Sequence, residues 1–138
     1  MALYDIEKHS EHARWSRKSI DDEVSSASSS IVLSALVTTN STWPNSCMVA
    51  GYISFSILWE ELYIRKIAVH PKYRRLGIAS TLVSHAETAG VEAGATRAVL
   101  EVTAANSAAV KLYKKNGFDF AETGDRPGTS PLVMVKSL

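Results

Sequence analysis

Cysteine is almost absent from this chain of 138 residues: Cys47 stands alone, so no disulfide can close within it. No Cys/His cluster has metal-ligand spacing, which argues against a metal centre. Cys47 lies just before an apolar strand and reads as a small packed residue rather than a nucleophile. Long apolar runs are missing as well. None approaches the roughly 20 residues of a membrane span, and the mixed-charge N-terminus has no secretory pattern, so a cytoplasmic protein is the expectation. Net charge is only +1, which implies no general field for nucleic acid or a membrane surface. Neither Gly-x-x-x-x-Gly-Lys-Ser/Thr nor Gly-x-Gly-x-x-Gly occurs, which weakens a nucleotide-binding reading. What the chain does have is 46% hydrophobic residues, enough for residues 1–138 to form one domain with a core.

Leu3, Ile6, Ile20 and Val24 predict one or two short amphipathic helices within residues 2–24, and the serine run at 25–30 breaks the pattern. Residues 31–37 are β-branched and apolar, a strand. Residues 38–46, with Asn40, Pro44 and Asn45, predict a turn. In residues 49–58, Ile53, Phe55 and Ile57 alternate with Ser54 and Ser56, the period of a half-buried strand, and the two strands read as a hairpin. In the next strand Leu62 and Ile64 share one parity whereas Ile67 and Val69 share the other. A strand changes its buried face only through a slip, which a β-bulge near Arg65-Lys66 would supply; burial on both faces is the alternative.

Ile78, Leu82, Ala86 and Ala89 recur at helical spacing, with Gly90 or Gly94 as the stop. Residues 98–102 predict a short buried strand. Asn106 can cap a helix bearing Ala109, Val110, Leu112 and Tyr113, ended by Gly117. Residues 118–121 and 132–135 predict a last strand pair, joined by a loop containing Gly124, Pro127, Gly128 and Pro131. The order is helix, strands, helix, strand, helix, strands: a mixed α/β architecture without repeats or linker.

Two constellations carry chemistry. The first is Ile67-Ala68-Val69-His70-Pro71-Lys72-Tyr73-Arg74-Arg75-Leu76-Gly77-Ile78-Ala79, a strand followed by a basic, glycine-containing turn that opens a helix. Such a turn offers backbone N–H groups and the positive end of a helix dipole to an anion. Lys66, Lys72, Arg74 and Arg75 make the charge local, which suits a small polyanion. An ordinary connection with a solvated basic edge is the alternative. The second runs from Leu100-Glu101-Val102 to Asn106 and on to Tyr113 and Phe118. A carboxylate within an apolar strand points either to solvent or into a cleft, because burying it unpaired costs several kcal/mol. Tyr113 taken singly is a core tyrosine.

Taken together, these stretches resemble the GNAT superfamily of N-acetyltransferases. Arg-x-x-Gly-x-Ala after Ile-Ala-Val and His-Pro is similar to its acetyl-CoA signature, and Asn-x-x-Ala-x-x-Leu-Tyr-x-x-x-Gly-Phe to its second block. The latter looks most like the branch that acetylates the N-terminal alanine of a ribosomal protein. Ile6-Glu7 followed by Trp15-Ser16 is similar to the first helices of that branch. The resemblance implies a central, mostly antiparallel sheet with a bulged, splayed strand pair at the acetyl-CoA cleft and flanking helices. It implies that Ile67, Ala68 and Val69 lend backbone groups to the pantetheine arm and thioester, and that Arg75, Leu76, Gly77, Ile78, Ala79 and Ser80 wrap the pyrophosphate, with Arg74 at the edge. Asn106 would hydrogen-bond the coenzyme, Glu101 would be the general base and Tyr113 the general acid. No metal is implied.

The chemistry fits those roles within limits. An α-amine has a pKa of about 7.7–8.0, so the base need not be strong, and burial would raise a carboxylate from about 4.3 toward its task. A backbone N–H at the bulge could stabilise the oxyanion. A phenol near 10 giving its proton to a thiolate near 8.5 is uphill by roughly 2 kcal/mol, so Tyr113 would mainly hydrogen-bond the departing sulfur.

Three features depart from the pattern. The family usually begins with a strand ahead of the first helix. Here the chain starts almost at that helix, which would leave a sheet edge and make either a monomer or a homodimer compatible. The loop at 123–131 lacks the tyrosine-rich stretch of the ribosomal branch, and His70, read as a surface turn residue, stands where that branch often has an acid. The implied activity is acetyl transfer to an amine, foremost a protein N-terminus, without nucleic acid or membrane as partner. A small amine acceptor and a non-catalytic acyl-CoA-binding module are the rivals.

Overall fold

The computed structural model describes residues 2–9, 15–25, 30–38, 47–122 and 131–138. Two short helices open the chain, α1 (Ala2–Glu7) and α2 (Arg17–Val24). Ser16 starts the second, its Oγ accepting the Ser19 N–H at 3.1 Å and satisfying one of the otherwise unpaired first-turn donors. Leu3, Ile6 and Ile20 are buried as their spacing predicts, whereas Val24 stands exposed at the helix end.

Strands β1 (Ser30–Thr38) and β2 (Cys47–Leu58) form the expected antiparallel hairpin. The turn expected at 38–46, most of the serine run and the loop at 123–131 up to residue 130 lie outside the described residues. β3 (Glu61–Val69) pairs antiparallel with β2. A 3₁₀ turn (Pro71–Tyr73) leads to α3 (Ile78–Glu92), then come β4 (Arg97–Val102), α4 (Ser107–Lys115), β5 (Asp119–Phe120) and β6 (Leu132–Ser137). Gly94, not Gly90, marks the end of α3: it takes φ +92°, while Gly90 lies buried inside the helix. The strand order is β1-β2-β3-β4-β6-β5, with β3–β4 the parallel pair. This is the mixed, mostly antiparallel sheet with flanking helices that the sequence predicts.

The sheet is covered on both faces, which corrects one expectation. Ile53 and Phe55 face an apolar cluster with Leu82, Val83 and Ala86 of α3 and Tyr113 of α4. On the other face Tyr52 packs with Leu3, Ile6 and Ile20 of α1 and α2. Ser54 and Ser56, expected to point to solvent, are therefore 0% and 4% exposed. Period-two alternation separates two faces; it does not say that one of them is wet.

The bulge is where the parity change places it. Ser54 pairs with Lys66 and Phe55 with Ile64, so Arg65 is the extra residue in β3. Beside it the sheet opens. β3 and β4 pair over Glu61–Ile64 and Arg97–Leu100. Past that point β3 follows β2, and Glu101 and Val102 of β4 follow Val133 and Leu132 of β6. The two strands splay, and every constellation singled out in the sequence converges on the gap.

Candidate active site

A cleft of about 1210 Å³ occupies the splay, larger than the roughly 300–1,000 Å³ of a pocket for one small ligand. One wall is the end of β3, with Ile67, Ala68 and Val69 lining it. Gly51 of β2 lies close behind, where a Cβ would meet the Ala68 carbonyl oxygen at 2.9 Å. Only glycine lets the two backbones approach so closely.

The turn at residues 74–77 closes one end. Arg75 takes φ +66° and Gly77 φ +78°, two left-handed residues separated by one. Alternating backbone hands turn successive N–H groups toward one concavity, an arrangement that binds anions. Gly77 precedes α3 and offers no side-chain cap, whereas α2 has Ser16 and α4 has Asn106. The dipole and first-turn N–H groups of α3 thus face the cleft, lined here by Gly77, Ile78, Ala79 and Ser80.

Not every predicted residue is where the turn motif implies. Leu76 does not line this cleft; its side chain is 69% exposed and lines a separate hollow with Leu33 and Ala35 of β1, so only its backbone belongs to the anion loop. Arg74 lines the cleft but is tied backward, its Nε donating to the Val69 carbonyl at 3.1 Å and a terminal nitrogen to the His9 carbonyl at 3.3 Å. It joins the end of β3 to the turn after α1, which leaves Arg75 as the loop's own cation. His70 is half-buried rather than a surface residue: its Nδ1 accepts the Lys72 N–H at 3.2 Å, and its ring lies 5.1 Å from that of His9.

Asn106 and Tyr113 come from α4. The Asn106 Oδ1 accepts the Ala109 N–H at 3.2 Å, which caps the helix and leaves the amide N–H donors for a ligand. Asn116, at the far end of α4, donates to the Ser80 Oγ at 3.2 Å and locks α4 against the first turn of α3. Tyr113 lines the cleft from the apolar side, its ring edge-on to Phe118 at 5.7 Å, and burial pushes its phenol above the usual value.

Glu101 resolves the choice between solvent and cleft in favour of both. Alternation turns it away from the core beside buried Leu100 and Val102, and because the strands part there, its exposed face is the cleft wall. The sequence reading missed its partner. Tyr63 lies on the same sheet face and lines the same cleft, and its pKa is raised by burial first, then by its proximity to the Glu101 carboxylate, with Arg65 opposing. The signal was present: Tyr63 has the parity opposite to Leu62 and Ile64, so it had to lie on the face away from the apolar cluster.

Trp15, Arg65 and Lys66 complete that face of the cleft, and Lys66 Nζ lies 5.9 Å from the Trp15 ring centroid. The gap is therefore reached from two sides. The anion loop, Asn106 and Tyr113 stand on the side of α3 and α4; Trp15, Tyr63 and Glu101 stand on the side of α1 and α2. Such a passage is open to a ligand from each face of the sheet.

Comparison with known proteins gives this arrangement its class. Residues 1–118 match the model of the acetyltransferase (GNAT) family, and the chain belongs to that family. It is 29% identical over 120 residues to the [ribosomal protein bS18]-alanine N-acetyltransferase of Escherichia coli K12, covering 87% of this chain and 74% of that one. It is 36% identical over 88 residues to human N-alpha-acetyltransferase 30, covering 55% of this chain; the match spans about a quarter of the relative's length, 24%. A chain in the crystal structure of the NatC complex bound to Gag peptide and CoA superposes with a TM-score of 0.64 at 26% identity, over 78% of this chain and 70% of that one.

Proposed function

We propose that this chain is an acetyl-CoA-dependent N-acetyltransferase that acts on the α-amino group of a protein N-terminus, by direct attack of the amine on the thioester within a ternary complex. The observation that carries the reading is that Glu101 and Tyr63 line one cleft at the open splay, opposite the anion loop. The loop fits a pyrophosphate: it has two left-handed residues, an uncapped helix start and the Arg75 cation. The NatC neighbour is bound to both a peptide and CoA, which supports the same two occupants here.

Bound acetyl-CoA supplies the activated acetyl group; the chain positions it and manages protons. Backbone N–H groups of residues 75–80 and the Arg75 side chain hold the phosphates, the Asn106 amide donates to the pantetheine arm, and the strand end at Ile67, Ala68 and Val69 aligns the thioester. Glu101 accepts the proton that the attacking amine gives up, directly or through the Tyr63 hydroxyl beside it. Because an α-amine titrates near neutrality, an exposed carboxylate suffices as a base for an acceptor already partly neutral. A backbone N–H at the bulge meets the negative charge that gathers on the carbonyl oxygen. Tyr113 hydrogen-bonds the departing thiolate, since a phenol pushed up by burial holds its proton more tightly than a thiol does.

The test is mass spectrometry after incubation with acetyl-CoA and two peptides, one with a free N-terminal alanine and no lysine, the other with a blocked N-terminus and an internal lysine. Acetylation of the first alone is the expected result. Modification of neither, together with acetylation of a small amine such as a polyamine, would replace the proposed acceptor; coenzyme binding without any transfer would replace the enzyme by a binding module.

A further inference from the structure

Two carboxylates on the first helices are buried, and the transfer chemistry uses neither. Glu7 is 1% exposed and Glu23 7%. The Tyr52 hydroxyl donates to Glu7 Oε1 at 2.7 Å, the Trp15 N–H donates to Oε2 at 2.8 Å, and Lys66 Nζ lies 3.4 Å from the same oxygen. The Ser54 hydroxyl donates to Glu23 Oε1, and Arg65 Nε lies 3.3 Å from it. Each acid therefore grips one hydroxyl of β2 and one cation of β3, across the point where their register shifts.

The cations are consecutive residues, and consecutive residues of a regular strand face opposite sides of the sheet. Arg65 and Lys66 reach acids on the same side only because Arg65 is the inserted residue. The apolar pattern asks for a slip somewhere between Ile64 and Ile67; the acids specify where. A bulge displaced by one position would carry one cation toward the apolar cluster of α3 and leave its buried carboxylate without a counter-charge, an arrangement disfavoured in an interior.

We infer that Glu7 and Glu23 are positioning residues for acetyl transfer: through Lys66 and Arg65 they hold the β3 bulge in the one register that presents its backbone to the thioester. This rests on the acetyl-transfer reading above, so its test uses a readout that needs no acceptor. The carbonyl of [1-¹³C]acetyl-CoA, followed by NMR, is displaced when a bulge N–H hydrogen-bonds to it in the wild-type complex. Glu23→Gln and Glu7→Gln are expected to diminish that displacement and to lower kcat by about 10²-fold, the scale of a misplaced reacting group, while CoA affinity is little changed.

Where a single variant fails to fold, the triple variant Glu23→Leu, Ser54→Ala, Arg65→Met replaces Glu23 and its two partners by apolar groups, an exchange that often preserves stability. A positioning role predicts that this folded triple variant still lacks the displacement and the turnover. A triple variant with both restored, a Glu23→Gln protein with wild-type displacement and kcat, or a wild-type complex with no displacement at all would each overturn the inference. If wild-type protein shows the displacement but acetylates neither peptide, the proposed acceptor fails and the positioning role stands.

Discussion

On the α3/α4 side of the splayed strands the proposed anion site is built mainly from backbone, the N–H donors of residues 75–80, set by Arg75 at φ +66° and Gly77 at φ +78°. On the α1/α2 side the groups are side chains, held by contacts that span the chain. Glu7 meets Tyr52 across 45 positions and Glu23 meets Ser54 across 31. A site made of backbone in a strained turn must be written locally, because only certain residues tolerate that conformation. A site made of side chains can be assembled from anywhere. The first kind suits a constant ligand and the second an acceptor that differs between relatives.

The contrast can be broken in several places. Glu101→Gln removes the proposed proton acceptor and keeps the shape of the cleft; kcat is expected to fall about 10²- to 10⁴-fold in steady-state kinetics with acetyl-CoA affinity unchanged by calorimetry. An equal loss in both would make Glu101 part of the coenzyme site.

Tyr52→Phe leaves Glu7 one donor short in a buried setting and should lower unfolding free energy by about 1–3 kcal/mol in denaturant titrations. It should also change the alkaline behaviour. Burial, then the Glu7 hydrogen bond and the Glu7 and Glu23 charges, raise the Tyr52 pKa above its unfolded value near 10. A raised pKa stabilises the fold fully below the unfolded value and is lost as pH climbs past it. Wild type should therefore lose stability faster than Tyr52→Phe above about pH 10.

Tyr113→Phe should lower kcat about tenfold, the worth of one hydrogen bond to a charged group, and weaken acetyl-CoA binding less. Equal losses would mark Tyr113 as a core residue alone. Arg97→Ala, which breaks the exposed pair with Glu61 outside the gap, should cost under about 1 kcal/mol in thermal unfolding and leave kinetics untouched.

The sequence made one face of this molecule far more legible than the other. The helix faces, the hairpin, the bulge and the anion loop each follow from a local rule: spacing, parity or the conformational freedom of glycine. Misreadings came where a second layer intervened. Ser54 and Ser56 looked solvated because nothing local announces that α1 and α2 will cover their face. Leu76 belongs to the loop through its backbone alone, and its side chain lines a separate hollow that the motif does not announce. Tyr63 was passed over because its value depends on Glu101, 38 residues on and one strand away. Nothing local marks Glu7 or Glu23 as buried, because acids in an amphipathic helix ordinarily face water.

The claim that the two faces deliver two substrates to one gap is tested most directly with a bisubstrate analogue, CoA joined through an acetyl bridge to the N-terminus of an alanine-first peptide. Calorimetry should find it bound far more tightly than CoA or the peptide alone. Gly77→Val, on the loop face, should weaken both the analogue and CoA, whereas Trp15→Ala, on the opposite face, should weaken the analogue and leave CoA unchanged. An analogue that binds no better than CoA, and no worse to Trp15→Ala, would contradict the account.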